Sequence, residues 1–220
     1  MSQLPDYNAI IFDMDGLILD TETTYFTAWQ QAAEQLGYII SDEFCAGLSG
    51  LPFTVIGSRL TDYIGRDFPF TEFYNLSGEL WRKRVQREGI AVKQGAYEIL
   101  HYLQNAQVPF CLSTNSREVN ARECLNYGGM SDVFEILVCC DHVQQPKPAA
   151  DIFLLAASRM QQAIGSCLVI EDSLTGLMAA QNAEAFSVCV PSTADKDGRM
   201  QALAGLVLND LNELCLLLQA

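Results

Sequence analysis

Residues 9–20 read Ala9-Ile10-Ile11-Phe12-Asp13-Met14-Asp15-Gly16-Leu17-Ile18-Leu19-Asp20, an apolar run that stops on two carboxylates and a glycine. Four apolar residues without alternation, Ala9 to Phe12, predict a central parallel strand covered by helices on both faces. Asp13 is then the first residue past the hydrophobic layer, at the strand's C-terminal end, where ligands sit in open α/β sheets. Gly16 allows a sharp backbone turn just behind the acids. Residues one apart in a regular strand point to opposite sides, so a break here lets Asp13 face a ligand while Asp15 swings alongside. A negatively charged nucleophile attacks a phosphate only where a cation screens the repulsion, and Mg²⁺ accepts carboxylate, carbonyl and phosphate oxygens together. Taken locally, the stretch is either a metal-dependent phosphoryl site or a capped turn.

Outward from this stretch, composition narrows the classes. The chain has 220 residues, half of them hydrophobic, enough for one large domain or a core with a smaller insert. A formal net charge of −14 disfavours nucleic acid as a partner, since a phosphate backbone requires a positive surface. It leaves room for a small phosphorylated metabolite, because a few local cations can govern one pocket; most of the 27 acidic residues serve solubility. The eight cysteines are scattered, several inside apolar runs, and read as small buried hydrophobes in a reducing compartment. With no Cys-x-x-Cys pair and only His101 and His142, a zinc site is disfavoured. The N-terminus lacks a basic segment followed by an apolar core, and no apolar run reaches membrane-spanning length. The expectation is a soluble cytoplasmic protein with no membrane partner, and a monomer by default.

After Asp20 the period changes to helical, with Phe26, Trp29, Ala33 and Leu36 at spacings of three and four and Gly37 ending the run. Further helical patterns fill roughly 42 to 89, broken at Gly47 to Pro52 and at Gly65 to Pro69. An all-helical block directly after the first strand predicts an insertion, since a plain βαβ crossover needs one helix. From about 95 the chain alternates: helix 95–105, strand Val108 to Leu112, helix 117–127, then strands near Ile136 to Cys139, Leu168 to Ile170 and Ser187 to Val190. Helical stretches at 149–162 and 173–183 separate them, residues 206–208 suggest an edge strand, and an amphipathic helix spans 210–219. This is the rhythm of a doubly wound parallel sheet.

Each strand end carries something chemically useful. Ser113-Thr114-Asn115-Ser116 brings hydroxyl, amide and backbone N–H groups to the start of a helix, a set that either caps the helix or holds phosphate oxygens. Lys147 stands between Pro146 and Pro148, which fixes the root of a long cationic side chain that could neutralise nucleophile and phosphate. Cys167-Leu168-Val169-Ile170 runs into Glu171-Asp172-Ser173, where capping accounts for Ser173 but gives no reason for two adjacent acids. Acid pair, hydroxyl, lysine and acid pair in that order are hard to obtain by chance.

The segments Asp13-Met-Asp-Gly, Ser113-Thr-Asn-Ser, Lys147-Pro and Glu171-Asp-Ser together resemble the motif set of the haloacid dehalogenase superfamily, most nearly its β-phosphoglucomutase-like branch. That resemblance implies an α/β fold, a Rossmann-like core of residues 1–18 and 92–220 with a four-helix cap of the C1 type at 19–91. It further implies Asp13 as nucleophile forming an aspartyl-phosphate, and Asp15 as the acid that protonates the leaving alcohol and then activates water. Thr114, Asn115 and Lys147 would bind the phosphoryl group. Mg²⁺ would be held by Asp13, the backbone carbonyl of Asp15 and Asp172, with Glu171 acting directly or through water.

The dehalogenases of this superfamily lack an acid two residues after the nucleophile, so Asp15 indicates an oxygen leaving group. The β-phosphoglucomutases that the chain resembles carry a histidine where Tyr25 aligns and an arginine where Phe53 aligns. Their absence favours hydrolysis over mutase chemistry, with Tyr25 and the cap turn Ser49 to Phe53 as candidate substrate contacts and Trp29, Trp81, Arg82 and Arg84 as further ones. A sugar phosphate is the family-level expectation. The competing classes are a phosphosugar mutase, a non-catalytic phosphate or metal sensor on the same fold, and a phosphorylated receiver domain, which has no use for the helical insert.

Overall fold

The computed structural model describes residues 4–219 apart from residues 49, 50, 52, 194 and 196, and of residues 53 and 54 it describes the backbone. In chain order the elements are β1 (Ala9–Phe12), α1 (Thr21–Gln35), α2 (Asp42–Ala46), α3 (Phe53–Ile64), α4 (Phe70–Glu88), α5 (Ala96–Ala106), β2 (Phe110–Thr114), α6 (Glu118–Tyr127) and β3 (Leu137–Cys139). There follow α7 (Asp151–Arg159), β4 (Cys167–Glu171), α8 (Leu174–Asn182), β5 (Phe186–Cys189), α9 (Arg199–Leu203), β6 (Leu206–Val207) and α10 (Leu211–Leu218). The strands form one sheet in the order β3-β2-β1-β4-β5-β6, with every neighbouring pair parallel.

β1 is buried along its whole length, and its alternate residues feed two separate cores. Ile10 and Phe12 pack with Ile99, Leu103, Ala121, Leu125 and Leu214, from α5, α6 and α10. Ala9 and Ile11 pack with Ile152, Phe153, Ala156 and Ala180, from α7 and α8. Covering on both faces is why the strand reads as an unbroken apolar run, and it makes the sheet doubly wound and Rossmann-like.

Two differences from the sequence reading have local causes. β2 begins at Phe110 rather than Val108 because the Val108 N–H closes the end of α5 on the Leu103 carbonyl. It continues through Ser113 and Thr114 because these pair in register with Val138 and Cys139 of β3. Hydrophobicity gave no sign of that extension, since both residues are polar yet fully buried. The five-residue α9 is too short to show a period and was not anticipated.

Among the described residues, four helices, α1 to α4, lie between β1 and α5, and α3 and α4 are separated where Gly65 to Pro69 falls. They have a hydrophobic cluster of their own, around Ala33, Cys45, Leu60, Phe68 and Phe73. The two passages between sheet and helices run side by side: the Asp20 N–H donates to Ala91 O at 2.8 Å and the Lys93 N–H to Ile18 O at 2.9 Å. Helix α1 starts on Asp20, whose side chain caps the Thr23 N–H. The helices rest on α6 through Trp81, set edge-on to Tyr127 at 6.2 Å, and through an Arg82–Glu123 ion pair at 3.4 Å. All eight cysteines are free, seven of them buried. Among the described residues, no helix is long and apolar enough to cross a membrane.

Candidate active site

Three adjacent strands bring their C-terminal ends together. The Asp13 N–H still donates to Ile170 O at 3.0 Å, so the first acid is held at the end of the sheet ladder, next to the point where β4 delivers Glu171 and Asp172. Lys147 arrives on the segment between β3 and α7. Its ammonium donates to Asp13 Oδ1 at 2.5 Å, Glu171 Oε1 at 2.6 Å and the Ser113 carbonyl at 2.8 Å. The Phe153 ring centre lies 4.9 Å from the same nitrogen. Asp13, Lys147, Glu171 and Asp172 are 7%, 3%, 0% and 2% exposed, so three buried carboxylates lie together with one buried cation, which touches two of them.

That imbalance is the test of whether a metal fits. Ligand oxygens of Asp13, Glu171 and Asp172 lie within 4.8 Å of one another, and Asp172 Oδ2 is buried with no hydrogen-bond partner. A buried, unpartnered carboxylate oxygen is costly, and a hard divalent cation satisfies it with the ligand type it prefers. The oxygen set therefore fits a hard divalent cation. Glu171 lies in the cluster, but both its oxygens have other partners: Oε1 takes Lys147, and Oε2 accepts from Asp172 N, Ser173 N and Ser173 Oγ at 3.2, 3.4 and 3.0 Å. Asp13 and Asp172 are the members with oxygen left to offer.

The backbone is shaped around these acids. Gly16 sits at φ +84°, and a Cβ there would meet Asp172 Oδ2 at 2.2 Å; a Cβ on Gly176, in the first turn of α8, would meet the Glu171 carboxylate at 1.8–2.0 Å. Both positions therefore require glycine.

Asp15 bonds to hydroxyl groups. Its carboxylate accepts from Thr21 Oγ1 at 2.7 Å, Thr114 Oγ1 at 2.9 Å and Ser116 Oγ at 3.0 Å. Thr21 was missed by sequence reasoning, the one available signal being its place directly after the cap residue Asp20, whereas Ser116 belongs to the hydroxyl set read as capping or phosphate-holding and here bonds Asp15. The Asn115 side chain is bonded to the Lys147 main chain through both its Oδ1 and its Nδ2, which leaves one amide N–H for a further partner. Tyr25 stacks on Trp81 with ring centres 5.0 Å apart and meets Cys124 Sγ through its hydroxyl at 3.5 Å, in the seam between α1, α4 and α6. Trp81 is buried there and donates to Thr24 Oγ1 at 3.0 Å, while Trp29 packs with Tyr25 and Phe26. Arg82 and Arg84 are paired with Glu123 and Glu88. Of the turn Ser49 to Phe53, residues 49, 50 and 52 and the Phe53 side chain lie outside the described residues.

Burial raises the Asp172 carboxyl well above the usual range, and the charges of Asp13 and Glu171 push it further. Burial likewise raises Glu22, on the first turn of α1, to about 7 from 4.5. The folded chain therefore holds protons that the unfolded chain releases, and stability falls as pH rises through that window. The metal-free protein is expected to show a lower urea midpoint at about pH 7.5 than at about pH 5, and Mg²⁺ is expected to narrow the gap. A midpoint that climbs over this range contradicts the assignment.

A family profile described as Haloacid dehalogenase-like hydrolase matches residues 10–190. The fructose-1-phosphate phosphatase YqaB of Escherichia coli (strain K12) is 30% identical, over 80% of this chain and 93% of its own. The phosphorylated carbohydrates phosphatase of Thermotoga maritima is 28% identical, over 90% and 92%. Among solved structures, β-phosphoglucomutase from Clostridium difficile matches with a TM-score of 0.77 at 25% identity, over 94% of this chain and 93% of that one. The chain belongs to the haloacid dehalogenase-like hydrolases. Within them it stands on the β-phosphoglucomutase-like branch, and its enzyme class is that of a phosphoric monoester hydrolase.

Proposed function

We propose that this chain is a Mg²⁺-dependent phosphatase that hydrolyses a small phosphomonoester, of the sugar phosphate class, through an aspartyl-phosphate on Asp13. The observation that carries the reading is the buried convergence of Asp13, Lys147 and Asp172, whose Oδ2 has no hydrogen-bond partner, at the C-terminal ends of adjacent strands. The substrate class follows the names of the relatives, two of which are phosphatases of fructose 1-phosphate and of phosphorylated carbohydrates. Mg²⁺, held by Asp13, Asp172 and the backbone carbonyl of Asp15, would offset the charge between carboxylate and phosphate.

Asp13 attacks phosphorus and the ester P–O bond breaks, with Asp15 giving its proton to the departing alkoxide. Asp15 then takes a proton from water, whose oxygen attacks the same phosphorus and releases Asp13 with inorganic phosphate. Lys147 and the Thr114–Asn115 turn hold the phosphoryl oxygens, and most of the acceleration is positioning and charge neutralisation. The helical block 19–91 acts as the cap that closes the pocket and excludes water. The setting we propose is a cytoplasmic monomer acting on a diffusible metabolite.

A panel of sugar phosphates assayed with Mg²⁺ and with chelator tests the reading. Phosphate release that needs the metal is expected; binding without release would identify a sensor instead. The mutase alternative draws on the likeness to the Clostridium difficile structure, and conversion of β-glucose 1-phosphate to the 6-phosphate without phosphate release would establish it. Asp15→Asn is expected to cost about 10²–10⁴-fold in leaving-group release from alkyl phosphates but much less in the p-nitrophenol burst from p-nitrophenyl phosphate, whose leaving group needs no proton and departs before the water attack that also uses Asp15. Equal losses on both argue against an acid role.

A further inference from the structure

Lys147 carries its cation on a segment, Pro146-Lys147-Pro148, in which only the lysine has a backbone N–H. That N–H donates to Asn115 Oδ1 at 2.9 Å, and the Lys147 carbonyl accepts from Asn115 Nδ2 at 3.1 Å. Both ends of one side-chain amide thus grip the main chain of one residue across 32 positions of sequence. Further contacts support the segment from behind: Asn182 Nδ2 donates to Pro148 O at 2.8 Å, and Asp151 Oδ2 accepts from the Gln145 N–H at 3.3 Å. The residue before Asn115 is Thr114, whose hydroxyl binds Asp15. The end of β2 therefore reaches the two acids by different routes: Asp15 through a hydroxyl, and Asp13 through the lysine.

We infer that Asn115 is a positioning residue, which serves the reaction by fixing the main chain of Lys147 so that the ammonium meets Asp13 and the phosphoryl group, and not by a side-chain contact with phosphate. This rests on the phosphatase reading above. The amide keeps a second N–H of its own, so direct contact with a phosphoryl oxygen is the rival that the experiment has to separate. Misplacement of a charged group by about 1 Å costs on the order of a hundredfold in rate, which sets the size of the effect.

The test is a double-mutant cycle in the full chain: Asn115→Ala, Lys147→Gln and the pair, each assayed with Mg²⁺ for kcat/KM on p-nitrophenyl phosphate, for inorganic phosphate affinity and for urea midpoint. Asn115→Ala alone is expected to lose about 10- to 100-fold in kcat/KM. In the Lys147→Gln background the same change is expected to cost less than about twofold, because no ammonium remains to be placed. The urea midpoint should nevertheless drop by the same amount in both backgrounds, since Asn115 grips the main chain, which the substitution at 147 leaves intact. Additive stability beside non-additive catalysis is the signature.

An undiminished single variant, or a loss of tenfold or more that persists beside Lys147→Gln, overturns the inference. If the unaltered chain releases no phosphate from any ester, the phosphatase reading fails, and the cycle in inorganic phosphate affinity then decides on Asn115 by the same criterion. Should Lys147→Gln not fold, pulsed acetic anhydride labelling of wild type and Asn115→Ala answers the question by mass spectrometry. Labelling of Lys147 is expected to speed up on loss of the clamp while that of Lys83 and Lys93 stays level; an unchanged Lys147 rate overturns the inference.

Discussion

Asp13→Asn is expected to lower turnover of every phosphomonoester by roughly 10⁴- to 10⁶-fold while the protein stays folded. An amide oxygen is too poor a nucleophile to form the acyl phosphate, so the whole covalent route is lost rather than one stabilising contact. The fold survives because Lys147 keeps two of its three partners, Glu171 Oε1 and the Ser113 carbonyl, and because the change removes a buried charge from a cluster that already has too many. Turnover and melting temperature on the same preparation check both halves. Residual activity within tenfold of wild type would remove the covalent mechanism, whereas loss of folding would make Asp13 a structural residue first.

Lys147→Gln has the opposite balance, with a large effect on stability as well as rate. It leaves Asp13, Glu171 and Asp172 together in the interior without the ammonium that two of them touch. Removing one partner from a buried ionic cluster costs about 3–5 kcal/mol, and removing one charge stabiliser from a transfer site about 10²–10³ in kcat. The lost stability is expected to return in part on acidification, since protonated carboxyls no longer repel, and in part on adding Mg²⁺. Denaturant titrations at two pH values, with and without the metal, measure this. A loss below about 1 kcal/mol, insensitive to both pH and Mg²⁺, contradicts the shared-cation description.

These expectations stand on features of unequal legibility. β1 was readable because a doubly covered strand must be apolar on both faces, which leaves no alternation to confuse it. The helical block was readable from its period and from its breaks at Gly47 to Pro52 and Gly65 to Pro69. The polar end of β2 was not, because Ser113 and Thr114 are buried by tertiary pairing with β3 and not by their own hydrophobicity.

Within the site, sequence alone determined which chemistry-bearing residues exist and in what order: the acid pair at 13 and 15, the hydroxyls at 113 to 116, the lysine at 147 and the acids at 171 and 172. Periodicity was enough to put the acids and hydroxyls at or just past a strand end, since the hydrophobic layer stops where the strand leaves it, but not Lys147, which lies on the segment between β3 and α7. Only the tertiary structure decided how they divide the work. Asn115 turned out to grip the lysine's main chain, Glu171 to be bonded on both oxygens, Asp15 to rest on Thr21, Thr114 and Ser116, and Tyr25 to lie in the seam on α6. The physical reason is that residue type fixes what a side chain can bond, whereas its partner is set by contacts between segments many residues apart, which no local pattern encodes.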